Sequence, residues 1–357
     1  MRRALGFVFA LLILTGSMPC HAAAPSVSAS AYVLMEAESG RVLLAGGETE
    51  ERAIASTTKI MTALVALRSS RLTDVVTVKR EHLREGSSMY LAPDETLTVE
   101  ALLYGLMLPS GNDAAECLAD FCGPGTARFV ERMNDTAAAL GMTHTHFANP
   151  SGLDEAGHHS CALDMARLMA CAMREPAFAQ IVSAKIATAG TRTMSNHNKL
   201  LGAVEGCVGG KTGYTGAAGR TLVTCAERDG LHLIAVTLRD GNDWADHAAL
   251  YDYGFASYRA ERPIRRGEIC ATAAVRGGKA SFAALCAAES VCCPVADGET
   301  LDVRYELPET LSAPVFMGQA VGEAVVLLDG AEVARVALQA SRTVEAAEYR
   351  QPRFWRR

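Results

Sequence analysis

The sequence predicts a mixed α/β fold, largely antiparallel, followed by a smaller all-β unit. Three observations carry that reading: β-prone runs stand near the start and return from Gly209, a helical stretch lies between them, and beyond Pro263 short alternating runs with turn residues take over. At 357 residues the chain is long for one core and comfortable for two, since single cores stop growing near ~250 residues. Apolar residues make up 49% and charged residues 21%, so a core can be buried and a mainly disordered or collagen-like polymer is excluded. The formal charge of −6 is spread over both halves without a basic stripe. That argues against a nucleic-acid partner and leaves small molecules or peptides.

Arg2 and Arg3 precede an apolar run from Ala4 to Leu14, then Gly16, Pro19 and Ala22-Ala23-Ala24. This is the three-part pattern of a secretory signal peptide over residues 1–24, with cleavage after Ala22 or Ala24, so the chain is expected to be exported. The run is shorter than the ~20 residues that span a bilayer, and Pro19 directly before Cys20 makes a poor lipoprotein site. Of eleven cysteines, ten lie beyond Cys20, an even number that permits disulfides outside the cytosol while leaving their pairing open. No C-x-x-C pair meets another at zinc-like spacing, so neither a metal nor a cofactor is expected.

Ser28 to Glu36 and Arg41 to Ala45 flank Ala37-Glu38-Ser39-Gly40 and predict a hairpin. From Ser56, the spacing of Ile60, Met61, Leu64, Val65 and Leu67 predicts a helix that begins at Ser56, with Ser56 or Ala55 as its cap. Further helices fit Val99 to Met107, ended by Pro109; Asp113 to Phe121; Thr126 to Leu140, ended by Gly141; and Ala162 to Met173. Arg220 to Cys225 and Leu231 to Leu238 read as strands around the turn Arg228-Asp229-Gly230, and a helix from Trp244 to Tyr258 follows, capped by Asn242 or Asp243. The first and last strands then lie side by side with helices covering the sheet. Residues 25–260 are expected to form this unit and 261–345 the β-rich one, with strands at Thr300 to Glu306, Val315 to Leu328 and Val333 to Leu338. Residues 346–357 form a basic aromatic tail broken by Pro352.

Three short motifs carry the chemistry: Ser56-Thr57-Thr58-Lys59 opening a helix, Ser110-Gly111-Asn112 between two helices, and Lys211-Thr212-Gly213 in the first strand of a strand pair. Each alone is weak. In the first turn of a helix, positions i and i+3 share a face, so Ser56 and Lys59 can touch. A serine hydroxyl needs a base, and a buried lysine with its pKa lowered by desolvation can serve as one. Ser110 offers a second hydroxyl to pass a proton toward a leaving amine, and Asn112 an amide for a substrate peptide group. Lys211 and Thr212 place a cation and a hydroxyl beside an anionic substrate group, and Gly213 permits close backbone approach.

The three in this order resemble the serine penicillin-recognising enzymes, whose set is S-x-x-K, S-x-N and K-T-G. The segments Ala55–Leu64 (ASTTKIMTAL), Gly86–Leu91 (GSSMYL), Leu108–Ala115 (LPSGNDAA), Phe147–Leu153 (FANPSGL), Asn196–Leu201 (NHNKLL) and Gly210–Thr215 (GKTGYT) are similar to the low-molecular-mass D-alanyl-D-alanine carboxypeptidases. The resemblance runs from about residue 30 to 260 and implies a β-lactamase/transpeptidase-like catalytic domain followed by a β-rich one. It implies Ser56 as nucleophile, Lys59 as its base and Ser110 as proton relay. Asn112 and Lys211 would position substrate, Thr212 would hold its terminal carboxylate, and the N–H groups of Ser56 and Tyr214 would form the oxyanion hole beside Gly213. The implied substrates are peptidoglycan stem peptides, with β-lactam antibiotics as covalent inhibitors.

A β-lactamase shares the motif set, but no E-x-x-L-N segment lies between Asn112 and Lys211. A non-catalytic wall-binding protein on this fold would be signalled by loss of the serine or a lysine, and all are present. A transpeptidase differs only in whether water or an amine takes the acyl group. His158 and His159 are adjacent, unlike the i, i+4 pair of an H-E-x-x-H metallopeptidase. Members of the family often end in a long amphipathic membrane helix; here Arg350, Arg353, Arg356 and Arg357 surround Phe354 and Trp355, so a weak peripheral contact with the outer face of the cytoplasmic membrane is the expectation.

Overall fold

The computed structural model describes residues 23–348. The signal-peptide pattern and nearly all of the basic tail lie outside the described residues. In chain order, β1 (Ala31–Glu36) and β2 (Val42–Gly46) form a hairpin, and a 3-10 turn at Ala55–Thr58 leads into α1 (Lys59–Ser69). Then come β3 (Val75–Thr77), β4 (Thr96–Thr98), α2 (Val99–Met107), α3 (Asn112–Cys122), α4 (Thr126–Ala139), α5 (Ala162–Met173), α6 (Pro176–Ser183), and the short hairpin of β5 (Ile186–Ala189) and β6 (Arg192–Ser195). β7 (Cys207–Thr215), β8 (Gly219–Arg228), β9 (Leu231–Leu238) and α7 (Asp243–Ser257) complete the first unit.

The main sheet has the order β2-β1-β9-β8-β7, antiparallel throughout, so the first strand pairs with the last-formed hairpin. Both faces are covered. Val33 and Met35 of β1, with Ile234 and Val236 of β9, join the core beneath α1, α2, α3 and α5, while Leu34, Leu233 and Ala235 pack with Leu250 and Tyr251 of α7. Double coverage explains why these strands read as nearly unbroken apolar runs although the sheet is antiparallel.

The second unit begins with β10 (Tyr258–Ile264), followed by β11 (Ile269–Arg276), β12 (Phe282–Ala287), β13 (Val291–Ala296), β14 (Leu301–Glu306), β15 (Leu311–Ser312), β16 (Ala320–Leu328) and β17 (Ala331–Ala340). β10 pairs with β13, and the others form a sheet of order β14-β16-β17-β12-β11-β15 over a separate apolar core. Two ion pairs tie the units together: Arg262 to Glu38, and Arg41 to Glu299, with Arg41 also donating to Pro294 O.

Two sequence expectations change in detail. The α-helix begins at Lys59 rather than Ser56, and neither Ser56 nor Ala55 caps it, because Ala55 has a left-handed φ of 48° and the chain enters through a 3-10 turn. The strand expected from Val315 to Leu328 is divided. Val315 only bridges Val344, the chain turns through Gly318 (φ 79°), and β16 starts at Ala320.

Candidate active site

The 3-10 turn sets the geometry of Ser56 and Lys59. Side chains at i and i+3 eclipse in such a turn, and Lys59 Nζ stands 2.9 Å from Ser56 Oγ. Lys59 is fully buried. Its Nζ also donates to Asn112 Oδ1 at 2.8 Å and to Ser151 O at 2.5 Å. A neutral amine has two N–H groups and one lone pair, so these two acceptors take both hydrogens and aim the lone pair at the Ser56 hydroxyl. Burial pushes the Lys59 pKa well below its usual value, Lys211 pushes it further the same way, and Asp113 opposes both.

The turn is held from several sides. Thr58 Oγ1 donates to Ala55 O at 2.8 Å and Thr57 Oγ1 to Ile54 O at 2.6 Å, while Thr221 Oγ1 reaches Ile54 O from β8 at 3.1 Å. His158 Nδ1 accepts from Ala148 N–H, so its Nε2 carries the hydrogen that meets Thr58 Oγ1 at 2.8 Å. Burial depresses the His158 pKa to about 4, so this neutral form persists at ordinary pH. Gly152, at φ 83°, packs so closely that a Cβ would lie 2.0 Å from Ala55 O. His158 and Gly152 are contributors that the motif reading did not identify; the PSGL segment was the available signal.

Ser110 sits between α2 and α3 with φ 65°, an unusual conformation for a serine. Its Oγ is buried and has no hydrogen-bond partner among the described residues, the state of a hydroxyl awaiting one. Asn112 is buried and locked: its Oδ1 accepts from Lys59 and its Nδ2 donates to Glu85 O at 2.7 Å. It therefore holds the Lys59 amine directly, and its second Nδ2 hydrogen has no partner among the described residues. The neighbouring Asp113 explains the GSSMYL segment, because its carboxylate accepts from Ser88 Oγ, Met89 N and Leu91 N.

β7 forms the opposite wall. Lys211 is 1% exposed and donates to Thr212 O. Burial lowers its pKa to about 7, and the rest of its donor capacity is open to a substrate. At Gly213 a Cβ would lie 2.4 Å from Thr221 Oγ1 and 3.0 Å from Ser56 N, so only glycine lets β7 lie this close to the turn that carries Ser56. Ser56, Ser110, Thr212, Gly213 and Tyr214 line one cleft of about 320 Å³, together with Ser87, His197, Lys199, Arg220, Asp243 and Trp244. Arg220 donates to both carboxylate oxygens of Asp243 and lies 5.6 Å over the Trp244 ring. The sequence reading singled out neither Arg220 nor Trp244 for the site.

Outside this cleft, Glu36–Glu38–Cys292 and Glu81–His82–Asp120 bring metal-capable atoms together. Arg262 already holds Glu38 and Lys79 already holds Asp120, so these carboxylates have their cations. The ten cysteines among the described residues are free thiols.

A family model described as D-alanyl-D-alanine carboxypeptidase matches residues 18–242, and one described as penicillin-binding protein 5, C-terminal domain, matches residues 258–346. The chain is 31% identical over 341 residues to the D-alanyl-D-alanine carboxypeptidase DacF of Bacillus subtilis, covering 90% of this chain and 87% of that one. It is 35% identical over 342 residues to DacC of Escherichia coli, covering 90% and 86%. Among solved structures it is similar to penicillin-binding protein 5 of Haemophilus influenzae, with a TM-score of 0.78 at 30% identity over 90% of this chain and 98% of that one. It is also similar to a mutant DD-transpeptidase of Streptomyces, with a TM-score of 0.62 at 33% identity over 65% of this chain and 99% of that one.

Proposed function

The chain belongs to the D-alanyl-D-alanine carboxypeptidase family, and from that premise we propose the residue-level course of its reaction. It is a serine-type carboxypeptidase that removes the terminal D-alanine of peptidoglycan stem peptides through an acyl-enzyme, and penicillin acylates it. The Lys59–Ser56 contact, with the lysine's two hydrogens already engaged, carries the residue assignment. Lys59 takes the Ser56 proton as Oγ attacks the penultimate carbonyl. Ser110 passes a proton to the departing amine, and water then releases the shortened peptide. The N–H groups of Ser56 and Tyr214 hold the oxyanion, supported by the close approach of Gly213 to Ser56 N. Lys211 and Thr212 receive the substrate's terminal carboxylate. Asn112 keeps Lys59 in place and offers its remaining hydrogen to the peptide.

The test is incubation with a fluorescent penicillin and with a peptide ending in D-Ala-D-Ala. Stable labelling and D-alanine release are expected. Amidating the C-terminal D-alanine should lower kcat/KM about tenfold or more, because a charge-assisted hydrogen bond is worth ~1.5–3 kcal/mol. Equal cleavage of the acid and the amide would remove Lys211 and Thr212 from carboxylate recognition.

The same reading extends to location: residues 1–24 act as a signal peptide and the mature chain works outside the cytoplasm. The pattern of Arg2, Arg3 and the apolar run supports this. The basic tail rests on the outer face of the cytoplasmic membrane, supported by its four arginines, Phe354 and Trp355. Unchanged binding to anionic vesicles after deletion of residues 346–357 would exclude the tail as a contact.

A further inference from the structure

Outside the cleft, three stretches of chain bring histidines and a carboxylate together. Arg52 and Ser160 exchange backbone hydrogen bonds of 2.8 and 3.0 Å, and His146 and His159 exchange a second pair of 3.0 Å each. Glu51, one residue before the first bridge, reaches both of the other stretches. Its Oε1 lies 3.6 Å from His144 Nδ1 and its Oε2 lies 3.6 Å from His159 Nε2. Unlike Glu38 and Asp120, Glu51 has no lysine or arginine paired with it among the described residues.

Those separations point to an ion between the groups. At 3.6 Å neither contact is a hydrogen bond. Two ligand atoms held ~2.1 Å from one tetrahedral zinc stand about 3.4 Å apart, close to both Glu51 edges. His146 adds a third imidazole on the same bridge. Its ring stacks on that of His159 with centroids 6.3 Å apart, and its Nδ1 donates to Gly157 O at 3.0 Å, which leaves Nε2 with the lone pair that a metal takes. All four side chains are partly or fully exposed, so they can turn onto an ion from solvent without disturbing the core. Imidazoles with one carboxylate suit zinc and its divalent neighbours, whereas calcium and magnesium ask for oxygen.

We propose that Glu51, His144 and His159, with His146 beside them, form a surface site for a divalent transition ion of the zinc class. The ion clips the stretch before the 3-10 turn to the loop that carries His158, whose ring meets Thr58 Oγ1 at 2.8 Å. Occupancy therefore stiffens the frame behind Ser56 from outside the cleft, without touching substrate. The cysteine spacing gave no sign of it, because these ligands come from separate stretches and no thiol takes part. The site does not depend on which reaction the cleft performs.

The test is calorimetric titration of tag-free residues 25–357 with Zn2+, and separately with Mg2+ and Ca2+, with penicillin labelling as the check of folding. Saturable Zn2+ binding at one ion per chain is expected, with no response to Mg2+ or Ca2+. His144→Ala and His159→Ala should each weaken Zn2+ binding about tenfold or more, and Glu51→Gln should do the same. Zn2+ should raise the melting temperature of the wild type and leave that of His144→Ala/His159→Ala unchanged. Because the ten free thiols can compete for the ion, Co2+ is used as a spectroscopic stand-in. Bands of nitrogen and oxygen ligation support the site, and thiolate charge-transfer bands would place the ion on cysteines and overturn it. Unchanged affinity in the double variant, or no Zn2+ binding by the wild type, also overturns the proposal.

Discussion

The two units handle charge in opposite ways. Around the cleft, Lys59 and Lys211 are buried with lowered pKa values, Ala55 and Ser110 hold left-handed backbone, and Ser110 Oγ lacks a partner. In the β domain the charges stay in water: Arg335 meets Glu306, Glu323 and Glu332 on the surface, while the core is aliphatic. Asp329 of the β domain also holds left-handed backbone, so what sets the cleft apart is the gathering there of buried cations and an unpartnered hydroxyl.

That contrast should break first at Lys59. Lys59→Ala is expected to lower the penicillin acylation rate by ~10²-fold or more, read by stopped-flow quenching, because among the described residues Lys59 alone hydrogen-bonds Ser56 Oγ. A nearly normal rate would move the base elsewhere. A smaller effect is expected one layer out, where His158 and Gly152 hold the turn. His158→Phe should slow acylation about tenfold with little change in substrate KM, since ~1.4 kcal/mol of lost positioning equals that factor. His158→Gln, which can still donate to Thr58, should recover part of it. An effect on KM alone would deny the positioning role.

At Lys211 the contrast predicts opposite signs for activity and stability. Its folded pKa of about 7 lies below the ~10.4 of an unfolded lysine. Between those values the unfolded chain binds more protons, so stability rises with pH across the window. Activity should fall over the same range, because the charged form is the one that receives a carboxylate. Lys211→Met should therefore raise the neutral-pH melting temperature while lowering kcat/KM, and a fall in both would contradict the account. The smallest effect belongs to the β domain. Arg335→Ala should leave melting temperature and acylation rate unchanged within error, because exposed ion pairs contribute little; a marked loss of acylation would show that the units are coupled.

Much of this organisation is legible in the sequence, and the limits have a physical pattern. The helices Val99–Met107 and Ala162–Met173 match their periodicity because each buries an apolar face, the first against α1 and α3 and the second against the main sheet. The three motifs converge because the 3-10 turn, the α2–α3 connection and the middle of β7 face one cleft. What sequence could not supply is contact across long separations through groups that leave no pattern. Ser151 holds Lys59 through a backbone carbonyl 92 positions away, and His158 holds Thr58 from 100 positions away. The short strands β3 to β6 escaped because three or four residues cannot establish an alternation. The start of α1 was misplaced because a left-handed alanine carries no compositional mark, and Gly152 and Thr221, which pack and bond against its turn, are tertiary neighbours.

Ser56 itself provides the most direct test. Mass spectrometry of the protein after penicillin treatment should find one covalent adduct, on the peptide that contains Ser56, and Ser56→Ala should abolish both the adduct and D-alanine release. An adduct on any other peptide, or one that survives that substitution, would contradict the assignment of the nucleophile and with it the roles given to Lys59, Ser110 and the cleft.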